Sequence, residues 1–190
     1  MVSSAPVIHK PHPSLFPLTI LGGLVATVLL AALIHLAPVL GLPFIDLPLL
    51  VGALFAEDPD TAFQIGYAVF VSAGVLVFPL LLSGLWPALP GDDITFRGAL
   101  LKGLLAGMVL WVLSGAVLAL YGVLGRLPSG ELEDPGLFGL GAGLLGPIAL
   151  LVEQLAYGLS LAVVAAMGRG ISPVDTIGWM WTSHGAGESP

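Results

Sequence analysis

The stretch Ala99-Leu-Leu-Lys-Gly-Leu-Leu-Ala-Gly-Met-Val-Leu-Trp-Val-Leu-Ser-Gly-Ala-Val-Leu-Ala-Leu-Tyr-Gly-Val-Leu124 decides the fold. After Lys102 it carries no charge until Arg126. A membrane crossing needs about 20 mostly apolar residues, because the hydrocarbon core is roughly 30 Å thick. This stretch is long enough, and it lacks the apolar–polar alternation of a barrel strand. Three more segments match it, about 15–40, 62–85 and 137–167, each rich in Leu, Ala, Val and Gly. The sequence therefore predicts an all-α polytopic membrane protein, a four-transmembrane-helix bundle forming one membrane domain over 1–190. Residues 168–190 read as an interfacial C-terminal tail.

Composition points the same way. The 190 residues are 57% hydrophobic and 9% charged, where a soluble domain carries roughly 25% charged residues. Mean hydropathy is +1.04. Five Lys and Arg with a net charge of −7 leave no basic patch for phosphates, so nucleic acid is excluded as a partner. With no Cys, disulfides, thiolate catalysis, Cys-ligated zinc and iron–sulfur clusters are excluded. The first span is too long for a signal-peptide core of 7–15 residues and no clean small-x-small site follows, so it reads as an uncleaved span.

Lys and Arg set the orientation. Lys10, Arg97, Lys102 and Arg169 fall on the side of the termini, and Arg126 on the other. Both termini are expected in the cytoplasm, with the chain in the inner membrane of a bacterium. The connection from Gly41 to Phe55 is too short to cross. Asp46 is suited to cap a short apolar helix over about Leu47 to Phe55, lying in the outer interface or tucked against the bundle. Asp92 and Asp93 are expected to cap the third span in the same way. In the tail, Trp179 and Trp181 suit a membrane–water interface. They are read either as anchors or as a docking strip for a partner subunit.

A repeat is suggested but not even. Leu40-Gly-Leu-Pro43 and Glu57-Asp-Pro59 echo Leu124-Gly-Arg-Leu-Pro128 and Glu133-Asp-Pro135, and Gln64-Ile-Gly-Tyr67 echoes Gln154-Leu-Ala-Tyr157. Gln64 follows Glu57 by seven residues, whereas Gln154 follows Glu133 by 21. Duplication of a helical hairpin and chance similarity both remain open.

Glu153 is the most informative polar residue. A carboxylate deep in a span is expensive and faces the bundle, a cavity or a partner. Helical spacing places Tyr157 and Ser160 on its face, with Gln154 turned about 100° away. The set Glu153, Gln154, Tyr157 and Ser160 is the candidate intramembrane polar site, read as a relay or partner contact, or as a structural hydrogen bond between helices. His35 is the only histidine within a span. A b-type haem within such a bundle needs two axial His, so the chain alone is expected to bind no cofactor, and His35 is read as an interface or interhelical contact. Gly141-Ala-Gly-Leu-Leu-Gly146 matches a dinucleotide fingerprint in spelling only, since no strand–turn–helix unit surrounds it. Gly139-xxx-Gly143, Ala99-xxx-Gly103-xxx-Gly107 and Gly22-xxx-Ala26 are expected to be small-residue packing ridges. Pro79 and Pro147 are expected to kink their helices. No nucleophile–His–acid set, metal cluster or phosphate loop appears, so no enzyme activity is expected.

The layout resembles a family of small uncharacterised four-helix bacterial membrane proteins. The resemblance rests on Ala26-Thr27, Gly41-Leu-Pro-x-x-Asp46, Gly66-Tyr67 with Gly74, Arg97-Gly98 and Tyr157-Gly158. Such proteins often carry His where this chain has Phe70 and Gln154, so no haem or metal role carries over. Some of them accompany respiratory cytochrome or quinol-oxidising complexes. The resemblance, with the lack of chemistry, implies a non-catalytic accessory subunit of a larger membrane complex, most naturally a respiratory or photosynthetic electron-transfer complex. Its partners would be other integral membrane subunits and lipids, with any haem or quinone held by those subunits. The alternatives are a small oligomeric transporter or channel using Glu153, and a membrane scaffold or stress protein without a redox partner.

Overall fold

A computed structural model describes residues 15–124 and 134–173. Lys10, Arg126, Trp179 and Trp181 lie outside the described residues, and with them the expectations placed on those side chains. Six α-helices are described: α1 (Leu15–Leu36), α2 (Leu47–Gly52), α3 (Pro59–Ser72), α4 (Phe78–Leu85), α5 (Phe96–Leu124) and α6 (Leu145–Gly168). A π-helical turn over Ala73–Val77 joins α3 to α4, so that Pro59–Ala88 runs as one span. Four helical stretches are long and apolar enough to cross a membrane: Phe16–Leu40, Pro59–Ala88, Phe96–Leu124 and Leu145–Gly168. No strand occurs among the described residues. The chain is an all-helical protein with four candidate membrane spans.

The last span is the axis of the bundle. Half of the most apolar window of α6 is buried, against 22% for Pro59–Ala88, because α6 packs on both α1 and α5. Small residues permit this. A Cβ on Gly103 would lie 2.6 Å from Ala162 Cβ and 2.7 Å from the Gly158 carbonyl, and one on Gly107 would lie 2.7 Å from the Gln154 carbonyl. The Ala99-Gly103-Gly107 ridge therefore meets α6. On the other side, a Cβ on Gly22 would lie 2.9 Å from the Leu161 carbonyl. Without water to exclude, helices in lipid associate through such close backbone approach.

The connections hold several corrections. Asp46 does cap α2, accepting from Leu49 N at 2.9 Å, and α2 is tucked against α3 with Leu47, Pro48, Leu50 and Gly52 buried. The third span is capped by Thr95, whose Oγ1 accepts from Gly98 N at 3.1 Å, not by Asp92 or Asp93. Asp92 instead accepts from Ile94 N at 2.9 Å. Asp93 pairs with Lys102, which also donates to the Trp86 carbonyl at 2.8 Å. Lys102 is thus buried at 1% exposure, and it ties the end of the second span to the start of the third.

The fourth span begins at Leu145, not Leu137. Phe138 and Gly139 have φ of 55° and 80°, left-handed values that break a right-handed helix. Gly139 and Gly143 therefore form no helical ridge. The 3₁₀ segment Leu137–Ala142 instead folds back on α5 and α6, with Phe138 stacked on Trp111 at 4.5 Å between ring centroids. A Cβ on Gly115 would occupy the place of the Phe138 ring. Pro147 is the third residue of α6, where its missing N–H has no intrahelical partner to lose, so it causes no kink. Gln64 is exposed while Gln154 is buried, so the repeated Gln-x-x-Tyr pair occupies two different environments.

Candidate functional site

Pro79 determines the site. A proline removes one helical N–H. In the π-helical turn the hydrogen bonds run back five residues, as Phe78 N to the Ala73 carbonyl shows. The next bond in that ladder would run from residue 79 to the Gly74 carbonyl, and Pro79 has no hydrogen to give. The orphaned carbonyl is taken up from another helix: Tyr157 Oη donates to Gly74 O. Gly74 lacks a Cβ because one there would collide with Thr27. Thr27 is itself buried and donates to the Gly23 carbonyl at 2.7 Å. Three spans thus converge on a π-helical turn, a distortion that recurs at functional sites.

Beside this junction lies a cavity of about 210 Å³. Thr27, Gly74, Ser114, Gln154 and Tyr157 supply its polar groups, and no charged side chain lines it. The remaining wall is apolar and includes Phe70 and Phe78. The cavity exists because of how the helices pair. α3 and α4 pack on α1 and α2, whereas α5 packs on α6, so a gap runs between α3 and α5. Leu47 and Val51 of α2 also line it.

The predicted polar site is divided by the structure. Gln154 and Tyr157 line the cavity; Glu153 and Ser160 do not. Gln154 therefore reaches the cavity together with Tyr157, three residues on, while Glu153 and Ser160, which helical spacing sets on the same side as Tyr157, are outside its lining. Glu153 is buried at 6% exposure. By α-helical register, stepping eight residues along each helix from the Gly22–Leu161 approach puts it level with Leu30 of α1. Gln154 is 3% exposed, and its Nε2 has no hydrogen-bond partner. His35 is exposed, with Nδ1 2.8 Å from the Ala31 carbonyl and Nε2 3.4 Å from Tyr67 Oη. It links the first span to the second and lies away from the cavity lining. Among the described residues no group of three or more His, Asp or Glu is placed to hold a metal ion.

Sequence reasoning missed Thr27 and Ser114 as cavity residues and Lys102 as a buried tie. It also missed the Tyr157–Gly74 bond, for which a signal existed: a proline within a span implies a free carbonyl one turn earlier and hence a buried donor elsewhere.

No curated protein and no solved structure matches the chain. The sequence pattern of DUF6789, a family of unknown function, matches residues 16–176. The chain belongs to that family.

Proposed function

We propose that the chain is a non-catalytic accessory subunit of a larger assembly of integral membrane proteins. The observation that supports this best is where the buried polar groups are directed. Thr27 and Tyr157 are bonded to carbonyls of this chain, and Lys102 to Asp93 and the Trp86 carbonyl. Proton transfer or acid–base chemistry needs titratable groups meeting at an accessible point. The buried carboxyl, Glu153, stands apart from the cavity lining.

The partner class tested first is an electron-transfer complex of a bacterial inner membrane, with both termini of this chain in the cytoplasm and any haem or quinone that carries electrons held by the other subunits. Native-membrane purification in mild detergent, with mass spectrometry and a visible haem spectrum of the same peak, is the test. Co-purifying cytochrome or oxidase subunits in fixed ratio support the reading. A lone or self-associated 19.4 kDa protein without pigment overturns it. The alternative, a small oligomeric transporter using Glu153, draws on Gln154 and Tyr157 lining the cavity. It requires Glu153→Gln to abolish flux while leaving the fold intact.

A further inference from the structure

The cavity between α3 and α5 has the features of a binding site entered from the bilayer. Its mouth is flanked by Val69 on α3 and Leu113 on α5, which line the cavity and are 42% and 48% exposed. These residues lie within candidate spans, so the exposed side of the mouth faces lipid. Gln154 also lines the cavity; it is more than nine-tenths buried, with no partner for Nε2. An unpartnered amide is costly in hydrocarbon, and native interiors rarely leave one unless something completes it.

Four properties define what would complete it. The lining carries no charge, so the occupant is neutral. The free donor is an amide N–H, so the occupant presents an accepting oxygen. Three aromatic rings, Phe70, Phe78 and Tyr157, stand in the wall and favour a planar ring against them. A void of about 150 Å³ already holds benzene, so about 210 Å³ takes a substituted ring with any tail left in the mouth. Depth narrows the choice further. Gln154 lies nine residues into α6, about 13 Å from its start. That is deeper than the ester carbonyls of phospholipids, which sit at the interface.

We propose that this cleft binds a neutral, membrane-soluble ring compound bearing a carbonyl oxygen, with Gln154 Nε2 donating to that oxygen. The site binds and does not react, and it serves whether or not the chain has partner subunits.

The test uses the full-length protein in detergent micelles and two probes of nearly equal shape. These are 2-methyl-1,4-naphthoquinone and 2-methylnaphthalene, the same fused ring without oxygens. Apparent affinity is read from the concentration dependence of the rise in Tm. The quinone is expected to bind saturably and about fivefold or more tightly than the hydrocarbon, the effect of one hydrogen bond. Gln154→Leu should remove that preference while leaving the hydrocarbon unchanged, and Leu113→Trp at the mouth should weaken both. Equal binding of the two probes to the wild type overturns the proposal. So does an undiminished preference in Gln154→Leu, undiminished binding in Leu113→Trp, or no shift from either probe. Leu113 is exposed, so its variant remains informative even if Gln154→Leu does not fold. Binding by the isolated chain is read independently of subunit association, so failure here and failure of the accessory reading are separate results.

Discussion

Tyr157 donates its hydroxyl hydrogen to the carbonyl of Gly74, 83 residues away, at 2.5 Å. The bond exists because Pro79 cannot supply the N–H that the π-helical turn directs at that carbonyl. A local backbone defect in the second span is thereby repaired by a side chain of the fourth.

That relationship makes Tyr157→Phe destabilising, by about 1–2 kcal/mol, since a buried carbonyl loses its donor. Pro79→Ala restores a hydrogen to the backbone and offers the carbonyl another partner. Tyr157→Phe should then cost less in the Pro79→Ala background than in the wild type. A double-mutant cycle by reversible denaturant unfolding measures this coupling. Strict additivity would show the two residues to be independent.

The α5–α6 approach predicts a sharp contrast between glycines. Gly103→Val should lower thermal stability strongly, because a side chain there meets Ala162 and the Gly158 carbonyl; about 3 kcal/mol or more is expected for overpacking against backbone. Gly84→Ala meets nothing within 4 Å. It lies inside α4 and should be neutral or slightly stabilising. Thermal aggregation midpoints of the two variants in detergent decide the point.

Lys102 and Asp93 are unequally exposed, at 1% and 45%. Asp93→Ala leaves a buried ammonium with no carboxylate, held only by the carbonyl and ring face of Trp86, so it should cost about 1–3 kcal/mol. Lys102→Met removes the buried charge and leaves Asp93 free to hydrate, so it should cost less. The ordering of the two unfolding midpoints is the measurement, and the reverse ordering would refute the tie described here.

Asp58 caps α3. Its carboxylate accepts from the Thr61 hydroxyl at 2.7 Å and from Thr61 N at 2.9 Å. Those bonds, the hydroxyl first, hold its pKa below the ordinary 3.8. A depressed carboxyl pKa contributes stability above the unfolded value and loses it as pH falls through the folded one. The gap in Tm between wild type and Asp58→Ala should be full near neutral pH and should narrow below about pH 4. A gap that does not change with pH would show that the charge on Asp58 contributes nothing.

What the sequence decided by itself was the class and the spans. Long charge-free runs can satisfy their backbone in lipid only as helices, and Asp46 before Leu47-Pro48 announced the short helix. The small-residue ridge from Ala99 to Gly107 was legible too, because few other residues allow such close approach. Tertiary structure decided the rest, for a physical reason. In a soluble helix the polar face marks the outside; in α1 and α5 the residues facing lipid and those facing the bundle are both apolar, so periodicity cannot say which face is buried. Glu153 drew attention as a charge, yet its neighbour Gln154 reaches the cavity, one helical step away. Lys102 reads in the sequence only as a charge near the start of the third span; in the fold Asp93 and Trp86 come together around it. The start of α6 turned on left-handed values at Phe138 and Gly139, which composition alone does not reveal. The cavity itself is a gap between α3 and α5, and it follows from which helices pair, not from any one residue.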